Sequence, residues 1–389
     1  MRFTLALLLL SAATSAIAKS IPRQIGADKR NTVQASVSST STTDASAASA
    51  SIACNNAYNL CDVKYNAVTH MGAHDSSFLR DAATSYSVAG TQFYNASWAL
   101  DAGIRLLQIQ VHENNGTLHM CHTSCSILDA GTLESYLVDI KSWMDANPDD
   151  VVTLLIVNSD DKDAATFGSV FEASGISKYG YTPASTSATT DWPTLRTMIS
   201  ANTRLVTFIA ALDYDATYPY LLDEWTYMFE TAYQVTSASG FNCTINRPSG
   251  IATAAAAISS GMMPLVNHFM YKQYTLLSNV IDVPNPEDVD ETNSPNTNTT
   301  GALGTHAQQC KSEYGQQPVF FLVDFWNRGP SMATADALNN VTDPVGRTHT
   351  DLTTSGSATS SSSSAAERNG AGSMFALGVG VVAALLMGF

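Results

Sequence analysis

The amino-acid sequence predicts a single α/β domain in which a parallel β-sheet closes into a barrel. Nearly continuous apolar runs recur through the middle of the chain, and segments with apolar residues at helical spacing separate them. Strands covered on both faces have this character, and their alternation with helices is typical of a parallel sheet. Polar side chains follow the carboxyl end of several runs, namely His74, His112, Asn158, Asn267 and Asp324. Because a parallel barrel carries its reactive groups on that rim, this pattern favours a barrel over an open sheet.

The elements can be followed in order along the chain. Strand-like runs are predicted at residues 104–112, 117–122, 151–157, 204–210, 262–270 and 319–326. A helix is predicted after the second run, because apolar residues recur at helical spacing, Thr132 can cap its start and Pro148 follows its end. Residues 282–304 are rich in Asn, Pro, Thr and acidic residues, which predicts a loop insertion.

Both ends of the chain are predicted to lie outside this domain. Residues 1–18 are typical of a secretory signal peptide, and residues 19–53 form a Ser/Thr-rich segment with too few apolar side chains to fold. The domain is expected to span residues 54–351. It is followed by a Ser/Thr-rich stalk with an attachment site at residues 352–373 and by an apolar tail at residues 374–389.

The C-terminal order of small residues, polar spacer and short apolar tail is the signal for a GPI anchor. Ser364 is the predicted attachment site, and Asn369 is the alternative. A retained membrane helix is the competing interpretation, but the tail of 16 residues is short for a bilayer span and no basic residues follow it. The pattern therefore predicts a secreted protein that is anchored at the cell surface, on the plasma membrane or in the cell wall.

The cysteines and sequons fit a secreted protein, and the net charge bears on its partners. Six cysteines in a secreted chain predict three disulfide bonds, and the simplest pairing is Cys54–Cys61, Cys121–Cys125 and Cys243–Cys310. A zinc site at Cys121, His122 and Cys125 is the alternative. Sequons for N-glycosylation stand at Asn95, Asn115, Asn242, Asn298 and Asn340. The net charge of −15 argues against a nucleic-acid partner, which would need a basic face, and the oligomeric state is not indicated.

Histidines are the side chains best suited to acid–base chemistry near neutral pH. Two imidazoles on opposite sides of a phosphodiester can deprotonate an attacking hydroxyl and protonate the leaving oxygen. His74 ends a strand-like run that precedes the one at 104–112, and His122 ends the run at 117–122. Asp75 and Asp324 could hold these imidazoles in one tautomer. The competing interpretation is that some of these histidines are hydrogen-bonded polar groups beneath loops.

Three motifs in order along the chain, GAHDS, LDAGIRLLQIQVH and LHMCH, resemble the X-domain region of phosphatidylinositol-specific phospholipases C. The sequence is most similar to the secreted fungal phospholipase C-like phosphodiesterases, and the similarity covers roughly residues 55–342. The resemblance implies a distorted TIM barrel, (β/α)8, that cleaves a phosphodiester. It implies a phospholipid or glycolipid as substrate and no cofactor.

The same resemblance implies roles for four side chains. His74 matches the general base that acts on a hydroxyl of the head group, and His122 matches the general acid. Asp75 matches the aspartate that follows the first histidine in the family motif. Asp324 matches a family aspartate on a late strand.

The sequence departs from the family pattern on the second strand. Bacterial enzymes of the family have an arginine there that neutralises the phosphate, and calcium-dependent relatives have acidic residues, whereas this chain has Gln108 and Gln110. Gln110 stands at the position of the arginine and, with Asn158, is predicted to bind the substrate through its amide. Loss of a cationic contact to the transition state costs roughly two orders of magnitude in rate.

Two alternatives to a metal-independent hydrolase therefore stay open. One is a metal-assisted phosphodiesterase with Glu113 or Asp160 as ligand, although neither has a cluster of further oxygen ligands in the sequence. The other is a cell-surface glycoprotein that keeps the barrel but has weak catalysis or none.

Overall fold

The computed structural model describes residues 52–276 and 279–350. The predictions for the signal peptide, the stalk, Ser364, Asn369 and the apolar tail fall outside these residues, as does most of the segment 19–53. The strands are β1 (His70–Ala73), β2 (Leu106–Asn114), β3 (Thr117–Cys121), β4 (Asp129–Thr132), β5 (Val152–Asn158), β6 (Leu205–Ile209), β7 (Leu221–Asp223), β8 (Met228–Thr231), β9 (Ile245–Arg247), β10 (Met263–Asn267), β11 (Tyr271–Leu276), β12 (Asn279–Pro284) and β13 (Phe320–Val323). The helices are α1 (Ala96–Asp101), α2 (Leu133–Ala146), α3 (Ala164–Ser174), α4 (Leu195–Ser200), α5 (Glu224–Tyr227), α6 (Ala254–Ser259), α7 (Val289–Thr292), α8 (Leu303–Tyr314) and α9 (Ser331–Asn339).

Eight strands lie parallel in one curled sheet, in the order β7, β6, β5, β2, β1, β13, β10, β8. The antiparallel strand β9 extends this sheet beyond β8. In the part of the chain that the structure describes, β7 and β8 do not pair with each other, so the sheet is a half-closed barrel. The four-residue helix α5 joins these two strands directly, whereas placing parallel strands side by side needs a connection of about a dozen residues. The predicted TIM-barrel-like fold is confirmed in its distorted form.

The apolar runs in the sequence reflect burial on both faces of the sheet. β5, β6, β10 and β13 are buried along nearly their whole length. Alternate side chains of a strand face opposite sides. In β13, Phe321 and Val323 pack in the apolar cluster that contains side chains of α2, α3 and α8, whereas Phe320 and Leu322 pack in a second cluster on the opposite face.

An antiparallel extension of the sheet carries one of the predicted histidines. β2 turns back into β3 at Asn115 and Gly116, which both have positive φ. Because Val111 pairs with Met120, the end of β3 returns to the level of the barrel rim. The helix α2 follows β4, and the side chain of Thr132 caps it by accepting from the backbone N–H of Ser135, as predicted.

A separate two-stranded sheet follows β10. β11 and β12 pair antiparallel from Tyr271 and Pro284 to Leu276 and Asn279. The prediction of a loop insertion at 282–304 is wrong in part, because this segment contains the end of β12 and the helix α7. Most of its acidic and proline residues lie beyond β12, in α7 and in the irregular segments beside it.

The three disulfide bonds join Cys54 to Cys61, Cys121 to Cys125 and Cys243 to Cys310, which is the pairing that the sequence favours. The alternative zinc site at Cys121 and Cys125 is excluded, because both sulfur atoms are in the bond. The sequon side chains are exposed, except for the half-buried Asn242, whose Nδ2 donates to the carbonyl of Gly240 (3.0 Å). Among residues 52–276 and 279–350, no helix is both long and apolar enough to span a bilayer.

Candidate active site

His74 and Asp324 lie side by side on the carboxyl rim of the barrel. His74 is the first residue after β1, and Asp324 is the first residue after β13. These strands are parallel neighbours in which Ala73 pairs with Val323, so the residues that follow start from adjacent points. The sheet thus brings together two side chains that are 250 positions apart in the sequence.

The imidazole of His74 is fixed by a carboxylate and an aromatic ring. Its Nδ1 lies 2.7 Å from Oδ1 of Asp324. Its ring stacks on Phe269, with the ring centroids 3.7 Å apart and the planes 8° from parallel. Because an ionised carboxylate can only accept a hydrogen bond, a neutral His74 carries its proton on Nδ1 and a lone pair on Nε2. Nε2 is therefore the atom of His74 that can take a proton from a substrate.

Asp75 stands between the two predicted histidines. Its Oδ2 lies 3.6 Å from Nε2 of His74 and 3.5 Å from Nε2 of His122. The two Nε2 atoms are therefore separated by at most the sum of these distances, about 7 Å, which suits an acid and a base on either side of one phosphate. Asp75 has a φ of 45°, and its backbone N–H donates to Oε1 of Gln108 (2.6 Å), so the neighbouring strand holds this conformation.

His122 reaches the site from the end of β3. Its backbone N–H donates to the carbonyl of Leu128 (3.0 Å), and the Cys121–Cys125 disulfide closes the loop that contains it. Phe78 meets the imidazole edge-on, with ring centroids 5.1 Å apart. These contacts fix a histidine that belongs to a hairpin outside the parallel barrel.

The two imidazoles have pKa values shifted in opposite directions. Burial acts to lower the pKa of His74, but the charges of Asp75 and Asp324 outweigh it, and the pKa is raised. Burial also lowers the pKa of His122, and the carboxylate of Asp75 compensates only in part. For Asp324, burial raises the pKa against the opposing attraction of His74. In the free site the proton is therefore held by His74 rather than by His122.

The amide of Gln110 is engaged by the protein. Its Oε1 accepts from the backbone N–H of Thr123 (2.8 Å), and its Nε2 donates to Oγ of Ser159 (3.1 Å). Gln110 thus positions the residue that follows His122, and one N–H of its amide is left for a ligand. The strand β2 contains no Lys or Arg.

The amide of Asn158, the other predicted substrate ligand, closes a loop. Its Oδ1 accepts from the backbone N–H of Lys162, and its Nδ2 donates to the carbonyl of the same residue, both at 2.9 Å. Arg105 also lies away from the site, because its Nη2 donates to Asp150 (2.7 Å) and to Asn56 (2.6 Å).

The alternative metal ligands Glu113 and Asp160 are neighbours with other partners. Asp160 accepts from the backbone N–H of Glu113 (2.6 Å) and meets Nδ1 of His112 (2.9 Å), while the carboxylate of Glu113 pairs with Lys162. In the described residues, the groups of three or more potential metal-binding side chains are Cys243, His306 and Cys310, and Cys121, Cys125 and Asp129. The cysteines of both groups are in disulfide bonds.

Two residues that support the site were not predicted from the sequence. Gln92 is fully buried; its Nε2 donates to the carbonyl of His74 (2.7 Å), and its Oε1 accepts from the backbone N–H of Trp326 (3.1 Å). It therefore links the segments after β1 and β13. Gln92 lies in an irregular segment without a motif, whereas Phe269, an aromatic residue just beyond the run of β10, offered only a weak signal.

Comparison with known proteins places the chain in a family. A sequence profile described as PI-PLC X matches residues 60–339. The chain belongs to the PI-PLC X family. The "PI-PLC X domain-containing protein 1" of Arthroderma benhamiae is 36% identical over 293 residues, which cover 74% of this chain and 90% of that protein.

Two other proteins are similar to this PI-PLC X chain, one over a smaller share of its own length and one at lower sequence identity. An "Uncharacterized secreted protein" of Arthroderma benhamiae is 37% identical over 297 residues, which cover 74% of this chain and only 64% of that protein. The phosphatidylinositol-specific phospholipase C from Listeria monocytogenes is 14% identical with a TM-score of 0.48, over 72% of this chain and 95% of that one. The resemblance predicted from GAHDS and LHMCH is confirmed, and all four side chains of the site lie in the matched PI-PLC X region.

Proposed function

We propose that this PI-PLC X chain is a phosphoric diester hydrolase that cleaves the head group of a phospholipid or glycolipid by acid–base catalysis. The observation that supports it is the position of Asp75, whose Oδ2 lies within 3.6 Å of Nε2 of both His74 and His122. Imidazoles from two separate segments of the chain thereby lie on either side of one carboxylate, with their Nε2 atoms at most about 7 Å apart.

The chemistry needs one proton acceptor and one proton donor. Nε2 of His74 takes the proton of a head-group hydroxyl, whose oxygen then forms a bond to phosphorus. The bond from phosphorus to the leaving oxygen breaks, and His122 supplies the proton to that oxygen. Asp324 stabilises the His74 imidazolium by accepting from Nδ1–H, and Gln110 keeps the loop of His122 in place.

The pKa shifts affect how much of the site is in the reactive form. Catalysis requires a neutral His74 and a protonated His122, whereas the raised pKa of His74 and the lowered pKa of His122 favour the reverse. The reactive form is therefore the minor protonation state of the free site. The dependence of kcat/KM on pH reports both groups of the pair together.

A catalytically weak surface glycoprotein is the second candidate, and one observation favours it. The strand that carries Gln110 has no cation, and the amide at that position is bonded to Thr123 and Ser159. The metal-assisted alternative has less support, because Lys162 already neutralises Glu113.

The proposal is tested by the turnover of phosphatidylinositol in detergent micelles, followed by phosphorus NMR. We expect His74→Ala and His122→Ala to lower kcat/KM by about 10²- to 10⁴-fold each. His119→Ala is the matched control. His119 lies on β3, the strand that leads to His122, but its Nδ1 pairs with Asp129 (3.0 Å). Full activity of His74→Ala would remove the hydrolase proposal, and activity lost on adding a chelator would favour the metal-assisted alternative.

The separate roles of the two histidines are tested with a diester whose leaving group is a thiolate. A thiolate leaves without a proton, so the general acid is not needed for this substrate. We expect His122→Ala to recover most of its activity and His74→Ala to stay inactive. The opposite result would exchange the two roles, in agreement with the proton distribution of the free site.

We also infer that the protein is a secreted glycoprotein held at the cell surface by a GPI anchor. The name of the secreted relative, the disulfide bonds and the exposed sequons support secretion, while the anchor rests on the C-terminal sequence alone. An anchor-cleaving lipase is expected to release the protein from membranes. Retention after that treatment would indicate a membrane helix.

A further inference from the structure

We propose that the groove between the β11–β12 hairpin and the loop at residues 80–88 binds one alkyl chain of a lipid substrate. This inference rests on the proposed function, because the groove adjoins the site that would hold the head group. It assigns a subsite for the apolar part of the substrate to residues outside the His74 and His122 machinery.

The hairpin presents one face to the groove. In the antiparallel register Lys272 pairs with Val283 and Tyr274 pairs with Ile281, so these four side chains lie on the same face. The remaining lining consists of the apolar residues Val88, Pro284 and Pro286 and the polar residues Arg80, Thr275 and Glu287. The cavity has a volume of about 420 Å³, within the range of small-ligand sites.

The groove lies open although its lining is apolar. Tyr274 keeps 49% of its surface exposed and Val88 keeps 39%. In the described residues the two strands of the hairpin pair with no third strand, so the hairpin stands free of the barrel sheet. Exposed apolar surface of this kind is costly in water unless a ligand covers it.

Contacts connect the groove to the candidate active site. Phe269, which stacks on His74, meets the ring of Tyr271 edge-on at 5.8 Å. Tyr271 begins the hairpin on the face opposite to Lys272 and Tyr274, so this contact fixes the hairpin beside the site. Burial raises the pKa of the Tyr271 hydroxyl, and the carboxylates of Asp324 and Asp75 raise it further, as expected for a phenol that faces the site. On the opposite wall, Arg80 lies 6.0 Å from the ring of Phe325, the residue after Asp324.

The charges at the groove fit an anionic amphiphile. The guanidinium of Arg80 donates to the carbonyls of Ser87 and Val88, both at 3.1 Å, and it has no ion pair with a carboxylate of the described chain. The protein has a net charge of −15, so the attraction of an anion to this groove would come from Arg80 locally and not from the charge of the whole protein. A ligand with a phosphodiester next to an alkyl chain matches both the cation and the apolar lining, whereas a sugar or a polar peptide matches only one of them.

The test uses monomeric alkyl phosphates, so that binding can be measured without turnover. Isothermal titration calorimetry with hexyl, octyl and decyl phosphate should show that each added methylene lowers Kd about fourfold, until the groove is filled. Ile281→Asp should weaken the binding of decyl phosphate by about tenfold or more. Val280→Asp is the matched control, because Val280 lies on the opposite face of the same strand and is 60% exposed.

Three outcomes would count against the proposal. A Kd that is independent of chain length, or an equal effect of the two aspartate variants, would overturn it. A concentration-dependent dimer that Ile281→Asp abolishes, with no binding of alkyl phosphates, would assign the groove to a second copy of the chain. If a thermal unfolding measurement shows that Ile281→Asp is misfolded, Tyr274→Ala provides the same test with a smaller change.

Failure of the groove and failure of the hydrolase are distinguishable. Chain-dependent binding of alkyl phosphates without turnover of any diester would support the groove and remove the enzyme. Turnover of phosphatidylinositol with equal kcat/KM for hexanoyl and octanoyl chains, below their micelle concentrations, would support the enzyme and remove the groove.

Discussion

Replacement of Asp324 by asparagine tests the link between the fold and the proposed chemistry. The carboxylate lies 2.7 Å from Nδ1 of His74, and its charge and hydrogen bond help to raise the pKa of that imidazole. An asparagine amide can also donate to Nδ1, which would move the ring proton to Nε2 and block the base. Because general base catalysis contributes about 10²- to 10⁴-fold, we expect kcat/KM to fall by about 10²- to 10³-fold.

Two measurements check this prediction. The rate is measured on phosphatidylinositol in micelles, and the titration of the His74 ring is followed by NMR, where its pKa should fall. Asp290→Asn is the control. Asp290, in α7, pairs with Arg328, which follows β13, and it does not touch His74. The reasoning is refuted if Asp324→Asn keeps its rate within about threefold of the parent or leaves the His74 titration unchanged.

Three further predictions follow from the same structure. The dependence of kcat/KM on pH should be bell-shaped, with its acidic limb below the ordinary histidine value of 6.5 and its alkaline limb above it, because the pKa of His122 is lowered and that of His74 is raised. Replacing both cysteines of the Cys121–Cys125 bond by serine should lower kcat/KM by about 10- to 100-fold, since the loop of His122 loses its closure. Glu224→Gln should raise the free energy of unfolding near neutral pH by about 1 to 2 kcal/mol, because burial and the charge of Glu230 raise the pKa of Glu224 in the folded state.

Each of these has a control and a contradicting outcome. In Asp324→Asn the alkaline limb should move to lower pH while the acidic limb stays; movement of the acidic limb alone would contradict the assignment. Serine at both Cys54 and Cys61 should cost stability but not activity. The advantage of Glu224→Gln should vanish as the pH falls well below the ordinary glutamate value of 4.5, since Glu224 is then protonated in both states; an advantage that persists there would have another cause.

Local elements of this fold could be predicted because their signals are local. The apolar runs of β5 and β13 mark strands that are buried on both faces, and Thr132 marks the start of α2. The motifs around His74 and His122 named the candidate histidines. The pairing of β1 with β13, which brings Asp324 to His74, could not be predicted from the sequence. The order of strands in a sheet depends on contacts across the whole chain.

The supporting contacts could not be predicted for a related reason. Gln110 stands at a position where the family pattern suggested a substrate ligand, but its amide partners Thr123 and Ser159 come from two separate loops. Gln92 lies in a segment without any periodicity, although it links two strand ends. The loop prediction at 282–304 missed the end of β12 and the helix α7, because these short elements stand among Asn, Pro and acidic residues.

The gap between β7 and β8 affects the width of the rim. In a complete ring, the number of strands and their stagger fix the diameter, so every strand position is determined by the others. Among the described residues, the sheet ends at β7 on one side and at β9 on the other, so closure of a ring does not set its curvature. The distance from His74, near the middle of the sheet, to side chains on β8 is therefore not fixed by closure of a ring of strands.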